Sequence, residues 1–457
     1  MPSIREVPSH LNYYEPDIFQ DIVTHTYVDR VNPQSGFEAR KSGTLKFLIK
    51  GNESFIDLRR SYINFKLRIT GSAKDDKDAT HDASYAKFGK SGATVINAIG
   101  QTIFKDCRAK LGTTVVSDAG EQYGFKVVQQ IMTGAVKDSQ DVYFLGAIGW
   151  VKDKAGQMDA PITETAGGLA TCENPAVIER RKKFGTQGNP VAEIVMKPHT
   201  GLTMLDKYIP PFIDVEIELT RHDNPNFYMF SSLGNHNFDL EIEDPVYEVR
   251  RYLNSTSYVA NVERMIVERP ITLRLTDGHI NTITIPANVR NYTVENLFHG
   301  NVPKKITFAM VSVDNFNGHR EKNPFNFQHF DISHMRLLKN GQEYPYPECK
   351  TDFSSSPPQF LATWHRMMMS FNSDYNDHCV NISPTEYANG YFFYSFYMAP
   401  DQESGWELHQ IPSGPSQVRL ELTFKTALAK SVQLIVFYES DSIVTIDNLR
   451  RVSVVHQ

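Results

Sequence analysis

The sequence has little net charge and few cysteines. Lysine and arginine number 47 against 53 aspartate and glutamate residues, which leaves a net charge of −6. A dedicated nucleic-acid binder normally carries a dominant basic surface, so this balance argues against that class. The four cysteines, Cys107, Cys172, Cys349 and Cys379, form no CxxC pair. Their spacing therefore indicates neither a zinc knuckle nor a disulfide scaffold.

Long hydrophobic segments are also missing. No stretch of the sequence approaches about 18 consecutive apolar residues, so we expect no membrane span. The first residues, MPSIREVPSHLNYYEP, lack the apolar core of a signal peptide. We therefore expect a protein that is made and used inside a cell, with its cysteines reduced.

Signatures of enzymes are scarce as well. The motifs GxSxG, Walker A, HExxH and GxGxxG do not occur, so we expect no enzyme and assign no catalytic, cofactor-binding or metal-binding residues. One candidate is the HxD pattern His329-Phe330-Asp331, as in jelly-roll iron oxygenases, with His378 as a third ligand. No lysine or arginine closely follows His378 to bind a cosubstrate carboxylate. This absence favours ordinary strand residues over a metal site.

What the sequence does contain is many short segments of alternating hydrophobicity. Residues 213–220 and 305–312 place apolar side chains at every second position, which predicts strands with one packed face. The dipeptide Asn340-Gly341 follows another such segment and predicts a type I′ hairpin turn. Helical spacing is confined to short stretches, mainly residues 121–132 and 357–371. The pattern predicts an all-β fold.

The two halves of the chain repeat one pattern. Residues 215–220 match residues 418–423 at an offset of 203 positions, and each copy follows an Ile-Pro dipeptide. This duplication predicts two tandem jelly-roll β-sandwiches with few short helices. We expect an N-terminal arm at 1–40, a first jelly roll at 41–225, a linker at 226–239, and a second jelly roll with a C-terminal strand at 240–457.

The most distinctive stretch spans residues 296–347. It reads NLFxGxxP, a strand, FNG, NPFNFxHF, a second strand and NG. In this order it resembles the major capsid proteins of the Polinton/Maverick elements and the related adintoviruses, which are hexon-like double jelly-roll proteins. The resemblance covers nearly the whole chain and is weakest at residues 1–40 and 135–200.

The resemblance implies a major capsid protein. Its homotrimers, pseudo-hexameric in outline, would tile an icosahedral shell around double-stranded DNA. The implied partners are further copies of this chain, penton and minor capsid proteins and, indirectly, the encapsidated DNA. The implied location is the virion capsid, after synthesis in the host cytoplasm and assembly in the cell interior, with the nucleus as an open alternative. A capsid gene that a host has retained for another use stays open too.

Two groups of residues are candidates for contacts with other molecules. The aromatic loop 315–327 either tucks into its own core or is covered by another chain. The resemblance adds the hypothesis that this loop packs between subunits, through Asn315, Phe316, Asn323, Pro324, Phe325, Asn326 and Phe327. A dense basic run is usually a solvated face. Its functional alternative is contact with nucleic acid or an acidic partner, through Arg180, Arg181, Lys182 and Lys183.

A carbohydrate-binding jelly-roll protein is the alternative function. Trp150, Trp364 and Trp406 could stack on sugar rings. Tryptophan in a β-sandwich is more often part of the core, however, and the fold alone does not imply sugar binding. This alternative predicts a monomer with sugar affinity, whereas a capsid protein must assemble.

Overall fold

The computed structural model describes most of the chain, in eleven segments. These are residues 22–34, 43–73, 93–135, 137–164, 170–184, 191–231, 236–298, 301–345, 348–371, 379–400 and 416–456. Trp406, His378 and the first 21 residues of the predicted arm lie outside the described residues.

Strands dominate the regular structure of these segments. The first half contains β1 (Val23–Val31), β2 (Thr44–Ile49), β3 (Phe55–Ala73), β4 (Ala93–Val95), β5 (Phe104–Leu111), β6 (Thr114–Asp118), β7 (Thr163–Glu164), β8 (Ala170–Thr171), β9 (Val191–Met196), β10 (Val215–Arg221), β11 (Met229–Ser231) and β12 (His236–Asn254). The second half contains β13 (Ile271–Ile285), β14 (Asn291–Val294), β15 (Lys305–Ser312), β16 (Ile332–Lys339), β17 (Gln342–Glu343), β18 (Cys349–Lys350), β19 (Tyr394–Tyr397), β20 (Val418–Phe424), β21 (Val432–Ile446) and β22 (Val452–His456).

The helices are short and lie between these strands. They are α1 (Ile99–Thr102), α2 (Tyr123–Gly134), a π-helical turn (Ser139–Phe144), α3 (Leu145–Ile148), α4 (Pro175–Lys182), α5 (Pro225–Tyr228), α6 (Thr256–Glu268), α7 (Val313–Asn317), α8 (Leu361–Ser370) and α9 (Pro384–Tyr387). The helices predicted at 121–132 and 357–371 correspond to α2 and α8. Among the described residues, no helix has the length and apolar character needed to cross a bilayer.

Eight strands of the first half form a jelly roll. One sheet has the order β1-β12-β3-β9 and the other the order β2-β10-β5-β6. All of these neighbours are antiparallel. The first strand pairs with the last, and successive strands lie in opposite sheets except β5 and β6, which are neighbours in one sheet, as in a jelly roll.

The second half repeats this topology strand for strand. Its sheets have the orders β13-β21-β15-β19 and β14-β20-β16-β17, with β22 added beside β21 and β18 beside β16. Each strand of the first jelly roll has a counterpart at the same place in the second. In chain order, the counterparts of β1, β2, β3, β5, β6, β9, β10 and β12 are β13, β14, β15, β16, β17, β19, β20 and β21. The predicted fold of two tandem jelly rolls is therefore confirmed.

The strands that the sequence repeat matched are structurally equivalent. β10 lies between β2 and β5, and β20 lies between β14 and β16. In both strands every second residue is buried. The apolar side chains line the inside of each sandwich, and the charged ones face outward except Arg221, which is buried at the end of β10. The hydrophobic effect therefore fixes the register of both strands.

The strand β15 departs from its predicted pattern. Alternation predicted one packed face, but six of its eight residues are buried, including Thr307. β15 runs between β21 and β19. Both faces of this strand are covered because other parts of the chain pack on the outside of its sheet.

Strand pairing moves the boundary between the two sandwiches. β12 pairs with β1 and β3 and thus completes the first sandwich, although the second was predicted to begin at residue 240. β1 also belongs to this sheet, although residues 1–40 were predicted to form an arm. The chain leaves the first sandwich at Asn254 and enters the second at Ile271, with helix α6 between them.

The predicted hairpin turn is confirmed. Asn340 and Gly341 have φ values of 52° and 82°, and Lys339 pairs with Gln342. Positive φ at both central positions is the requirement of a type I′ turn, which asparagine and glycine meet at low cost.

Candidate assembly site at the junction of the two sandwiches

The loop between β15 and β16 is built by its own asparagines. The Asn315 side chain donates to the backbone oxygen of Asn323 at 2.8 Å, and the Asn323 side chain accepts from the backbone nitrogen of Phe325 at 3.0 Å. Phe325 and Phe327 are almost completely buried, and Pro324 lies between buried neighbours. The amide side chains hold the loop in a fixed shape, so its aromatic rings take defined positions.

Those rings pack against the first sandwich of the same chain. Phe125 of α2 is the centre of the cluster, with ring centroids at 5.2 Å from Phe316, 5.4 Å from Phe325 and 5.7 Å from Phe227. Phe325 and Phe327 are covered within the chain and Phe316 partly so. That the loop also packs between subunits stays a prediction. The alternative that the loop tucks into its own core is the one observed.

Two aspartates of the first sandwich anchor the same loop. Asp159 accepts from the Asn323 backbone nitrogen at 2.6 Å and from the Asn326 side chain at 2.9 Å. Asp153 accepts from the Asn323 side chain at 3.1 Å. Sequence reasoning missed both aspartates, because a carboxylate in a loop carries no periodic signal of its partner.

Two of the four residues of the predicted basic run, Arg180 and Arg181, are buried inside the fold. The run lies at the end of α4, and the Arg180 guanidinium donates to Asp153 at 2.8 Å and to the backbone oxygen of Val95 at 3.1 Å. Arg181 is buried as well. The predicted contact with nucleic acid or an acidic partner is corrected for Arg180 and Arg181, because their side chains lie inside the fold.

The two lysines of the run are closer to solvent. Lys182 pairs with Glu179 at 2.6 Å on the surface of α4. The Lys183 ammonium donates to the backbone oxygen of Gly146 at 2.6 Å, and burial lowers its pKa. A role for these two side chains in binding a partner stays a prediction.

A second contact between the sandwiches is a buried ion pair. Lys126 of α2 lies 3.1 Å from Asp277 of β13, with side chains 3% and 5% exposed. The Ser117 hydroxyl also donates to Asp277, and the Gly201 backbone nitrogen donates to it at 3.2 Å. The carboxylate is thus neutralised and hydrogen-bonded, the condition under which a buried charge is tolerated.

His199 lies beside this ion pair. Burial, with Lys126 and then Lys197 as nearby cations, lowers the pKa of His199 to about 3. The imidazole is therefore neutral at physiological pH. Its Nδ1 lies 3.2 Å from Gln130 Oε1, so the ring adds a neutral polar contact next to the charged pair.

The HxD pattern is a turn and not a strand. Phe330 and Asp331 have φ values of 46° and 55°. His329 Nδ1 accepts from the Asp331 backbone nitrogen at 2.9 Å, and its ring stacks on Phe353 at 3.8 Å. Burial lowers the pKa of His329. The described residues contain no group of three side chains arranged to hold a metal ion.

The tryptophans give little support to a sugar site. Trp150 is 1% exposed, so it cannot stack on a ligand in solution. Trp364 is half-buried, and its indole nitrogen donates to the backbone oxygen of Ile382 at 3.0 Å.

Comparison with known structures relates this geometry to viral proteins. A chain of the Sputnik virophage aligns with a TM-score of 0.63 at 10% identity, over 100% of this chain and 93% of its own. The mavirus major capsid protein aligns with a TM-score of 0.54 at 9% identity, over 100% of this chain and 96% of its own. The Faustovirus major capsid protein aligns with a TM-score of 0.53 at 8% identity, over 94% of this chain and 92% of its own. The chain is a double jelly roll.

Sequence comparison extends the likeness to an animal protein. No protein-family model matches the chain. The uncharacterized protein F54H12.2 of Caenorhabditis elegans is 20% identical over 432 residues, which cover 92% of this chain and 94% of that protein. This double jelly roll therefore has a relative of nearly the same extent in a nematode.

Gly318 offers a direct test of the junction. A Cβ atom there would lie 2.8 Å from the Phe227 Cα, so we expect Gly318→Ala to push the loop away from the first sandwich. Its φ of 86° adds the cost of a backbone conformation that residues with a Cβ rarely adopt. We expect a loss of about 2–4 kcal/mol in the free energy of unfolding, measured by urea denaturation.

Gly341→Ala is the matched control for Gly318→Ala. Gly341 has nearly the same φ, 82°, but a Cβ there would meet nothing within 4 Å. It should lose only about 1 kcal/mol, the backbone part of the cost. Equal losses for the two variants would mean that the contact with Phe227 does not constrain the junction.

Proposed function

We propose that the chain is a major capsid protein. Three copies form a trimer with six jelly rolls and a pseudo-hexameric outline, and such trimers tile an icosahedral shell around double-stranded DNA. The observation that carries the proposal is the likeness to the mavirus major capsid protein, which extends over both jelly rolls.

The junction supports the same role. The aromatic cluster around Phe125 and the Lys126–Asp277 pair lie on different parts of the contact between the sandwiches. Two separate contacts hold the two jelly rolls at a fixed angle, as a building block of a regular shell requires. Nearly balanced charge agrees with a subunit that is itself the wall and meets the DNA only indirectly.

The element that encodes the chain is proposed to be of the Polinton/Maverick type. The run at residues 296–347 supports this assignment. Penton and minor capsid proteins would then be the other partners. The protein would be made in the cytoplasm and assembled within the cell, in the cytoplasm or the nucleus.

The mass of the purified protein in solution tests the proposal. We expect light scattering to give three chain masses over a range of concentrations, and electron microscopy to show hexagonal particles or shells. A monomer at every concentration would contradict a capsid role, and glycan arrays would then test the sugar-binding alternative.

A further inference from the structure

The ion-pair contact between the two sandwiches contains a histidine. His199 Nδ1 lies 3.2 Å from Gln130 Oε1, and a Cβ atom at Gly278 of β13 would be 3.3 Å from the side-chain nitrogen of the same Gln130. Two residues after His199, the Gly201 backbone nitrogen donates to Asp277 of β13 at 3.2 Å. His199 therefore belongs to the surface of the first sandwich that meets the second.

The aromatic contact contains a histidine as well. The His222 ring stacks on Phe227, with the centroids 4.1 Å apart and the planes at 20°. Phe227 in turn lies 5.7 Å from Phe125 and 6.3 Å from Phe325 of the second sandwich. A Cβ atom at Gly318 would be 2.8 Å from the Phe227 Cα. The His222 imidazole thus supports the ring that the loop of the second sandwich touches.

The charged groups that face His199 are cations. Lys126 of α2 and Lys197 of the segment before His199 both disfavour a positive imidazole. The carboxylate of this contact, Asp277, already pairs with Lys126 at 3.1 Å. Burial and these two lysines lower the pKa of His199 from its ordinary 6.5 to about 3. A proton on this ring would therefore add a third positive charge at the contact.

The surroundings of His222 are no better suited to a positive charge. Lys105 of β5 and Asp223 face its ring, and these two side chains already form an ion pair with each other. Burial and then Lys105 lower the pKa of His222 to about 4, although Asp223 acts in the opposite direction. At neutral pH the ring is uncharged, and it packs on Phe227 as an aromatic side chain does.

We propose that the junction opens in mild acid, because protonation of His199 and His222 weakens both of its contacts at once. Where the sandwiches separate, water comes into contact with each ring and can solvate its charge. Acid therefore favours an open junction in which each sandwich keeps its own fold. In the proposed capsid, this opening would loosen the shell within its subunits in an acidic compartment.

The pH range of the effect follows from the two pKa values. Above pH 6.5 both rings are neutral whether the junction is closed or open, so pH has no effect on it. Between pH 6.5 and about 4 a released ring binds a proton but an enclosed ring does not, so the closed state loses stability as the pH falls. At pH 5 each histidine shifts the equilibrium about 30-fold toward the open state, and the two together about 1,000-fold.

The double variant His199→Gln/His222→Phe tests the proposal. Glutamine can keep the contact with Gln130 and phenylalanine the stack on Phe227, but neither takes up a proton. Urea denaturation at pH 7.5 and pH 5.0 measures the equilibrium constant of unfolding. We expect acid to raise this constant about 1,000-fold more in the unaltered chain than in the double variant. Each single variant should remove about 30-fold of the effect, and the single variants serve if the double variant does not fold.

His25→Gln/His365→Gln is the matched control. Both residues are exposed, so their replacement should leave the full acid effect in place. A third histidine whose pKa burial lowers, His329, is present in all of these variants and cancels from the comparison. An acid effect of equal size in the unaltered chain and in His199→Gln/His222→Phe would overturn the proposal.

Calorimetry separates an opening of the junction from a general loss of stability. We expect one transition at pH 7.5 and two at pH 5.0 in the unaltered chain, because the separated sandwiches then unfold independently. The double variant should keep a single transition at both pH values. A single transition of the unaltered chain at pH 5.0 would contradict an opening at the junction. None of these measurements requires assembly, so their outcome is independent of the proposed capsid function.

Discussion

Replacing Lys126 with methionine is expected to lower the free energy of unfolding by about 3–5 kcal/mol, because Asp277 would be left as a buried charge without its cation. Both side chains are almost fully enclosed, and the pair joins the two sandwiches. The remaining donors to Asp277, Ser117 and Gly201, are neutral. Urea denaturation of the full chain at a fixed protein concentration measures the loss.

Lys50→Met is the control for burial in this test. Lys50 lies 3.1 Å from Asp214, the same separation as in the buried pair, but the two side chains are 71% and 40% exposed. Water screens such a pair, so its loss should cost less than about 1 kcal/mol. A Lys126→Met variant no less stable than Lys50→Met would refute the structural importance of the pair.

Replacing Phe125 with alanine is expected to cost about 3–5 kcal/mol and to separate the unfolding of the two sandwiches. The ring is fully buried and contacts Phe227 of its own sandwich together with Phe316, Phe325 and Phe327 of the other. Without it a cavity opens at the junction. Calorimetry should then resolve two transitions where the unaltered chain gives one.

Phe212→Ala provides the comparison for Phe125→Ala. The Phe212 side chain is 58% exposed, so its removal should change the stability by at most about 0.5 kcal/mol. The replacement keeps a residue with a Cβ at the same positive φ of 63°, which leaves the backbone cost unchanged. A single transition at the same temperature for Phe125→Ala and the unaltered chain would show that the cluster does not couple the sandwiches.

The architecture could be predicted from the sequence because its cause is local. Alternating side chains in β10 and β20 report the inside and outside of a sheet directly, and their repetition reveals the duplication. The Asn340-Gly341 turn could be predicted equally well, since it depends only on the backbone conformation of its own two residues. Such features need no knowledge of distant residues.

The junction could not be predicted because its partners meet only in three dimensions. Asp153 accepts hydrogen bonds from the side chains of Arg180 and Asn323, which lie 27 and 170 residues after it in the sequence. A run of arginines and lysines has the same composition whether its side chains face solvent or a buried carboxylate. The boundary at residue 240 was misplaced for a related reason, since β12 continues the hydrophobic pattern while its hydrogen bonds return to β1 and β3.

The C-terminal strand β22 crosses back toward the beginning of the molecule. The Thr114 hydroxyl of β6 donates to the backbone oxygen of Val452 at 3.2 Å, so this strand adds a third tie between the sandwiches. Together with the aromatic cluster around Phe125 and the Lys126–Asp277 pair, this contact restrains rotation of one sandwich against the other. If the chain is the subunit of a closed shell, as proposed, local differences in curvature would therefore be taken up between neighbouring copies and not by bending within one chain.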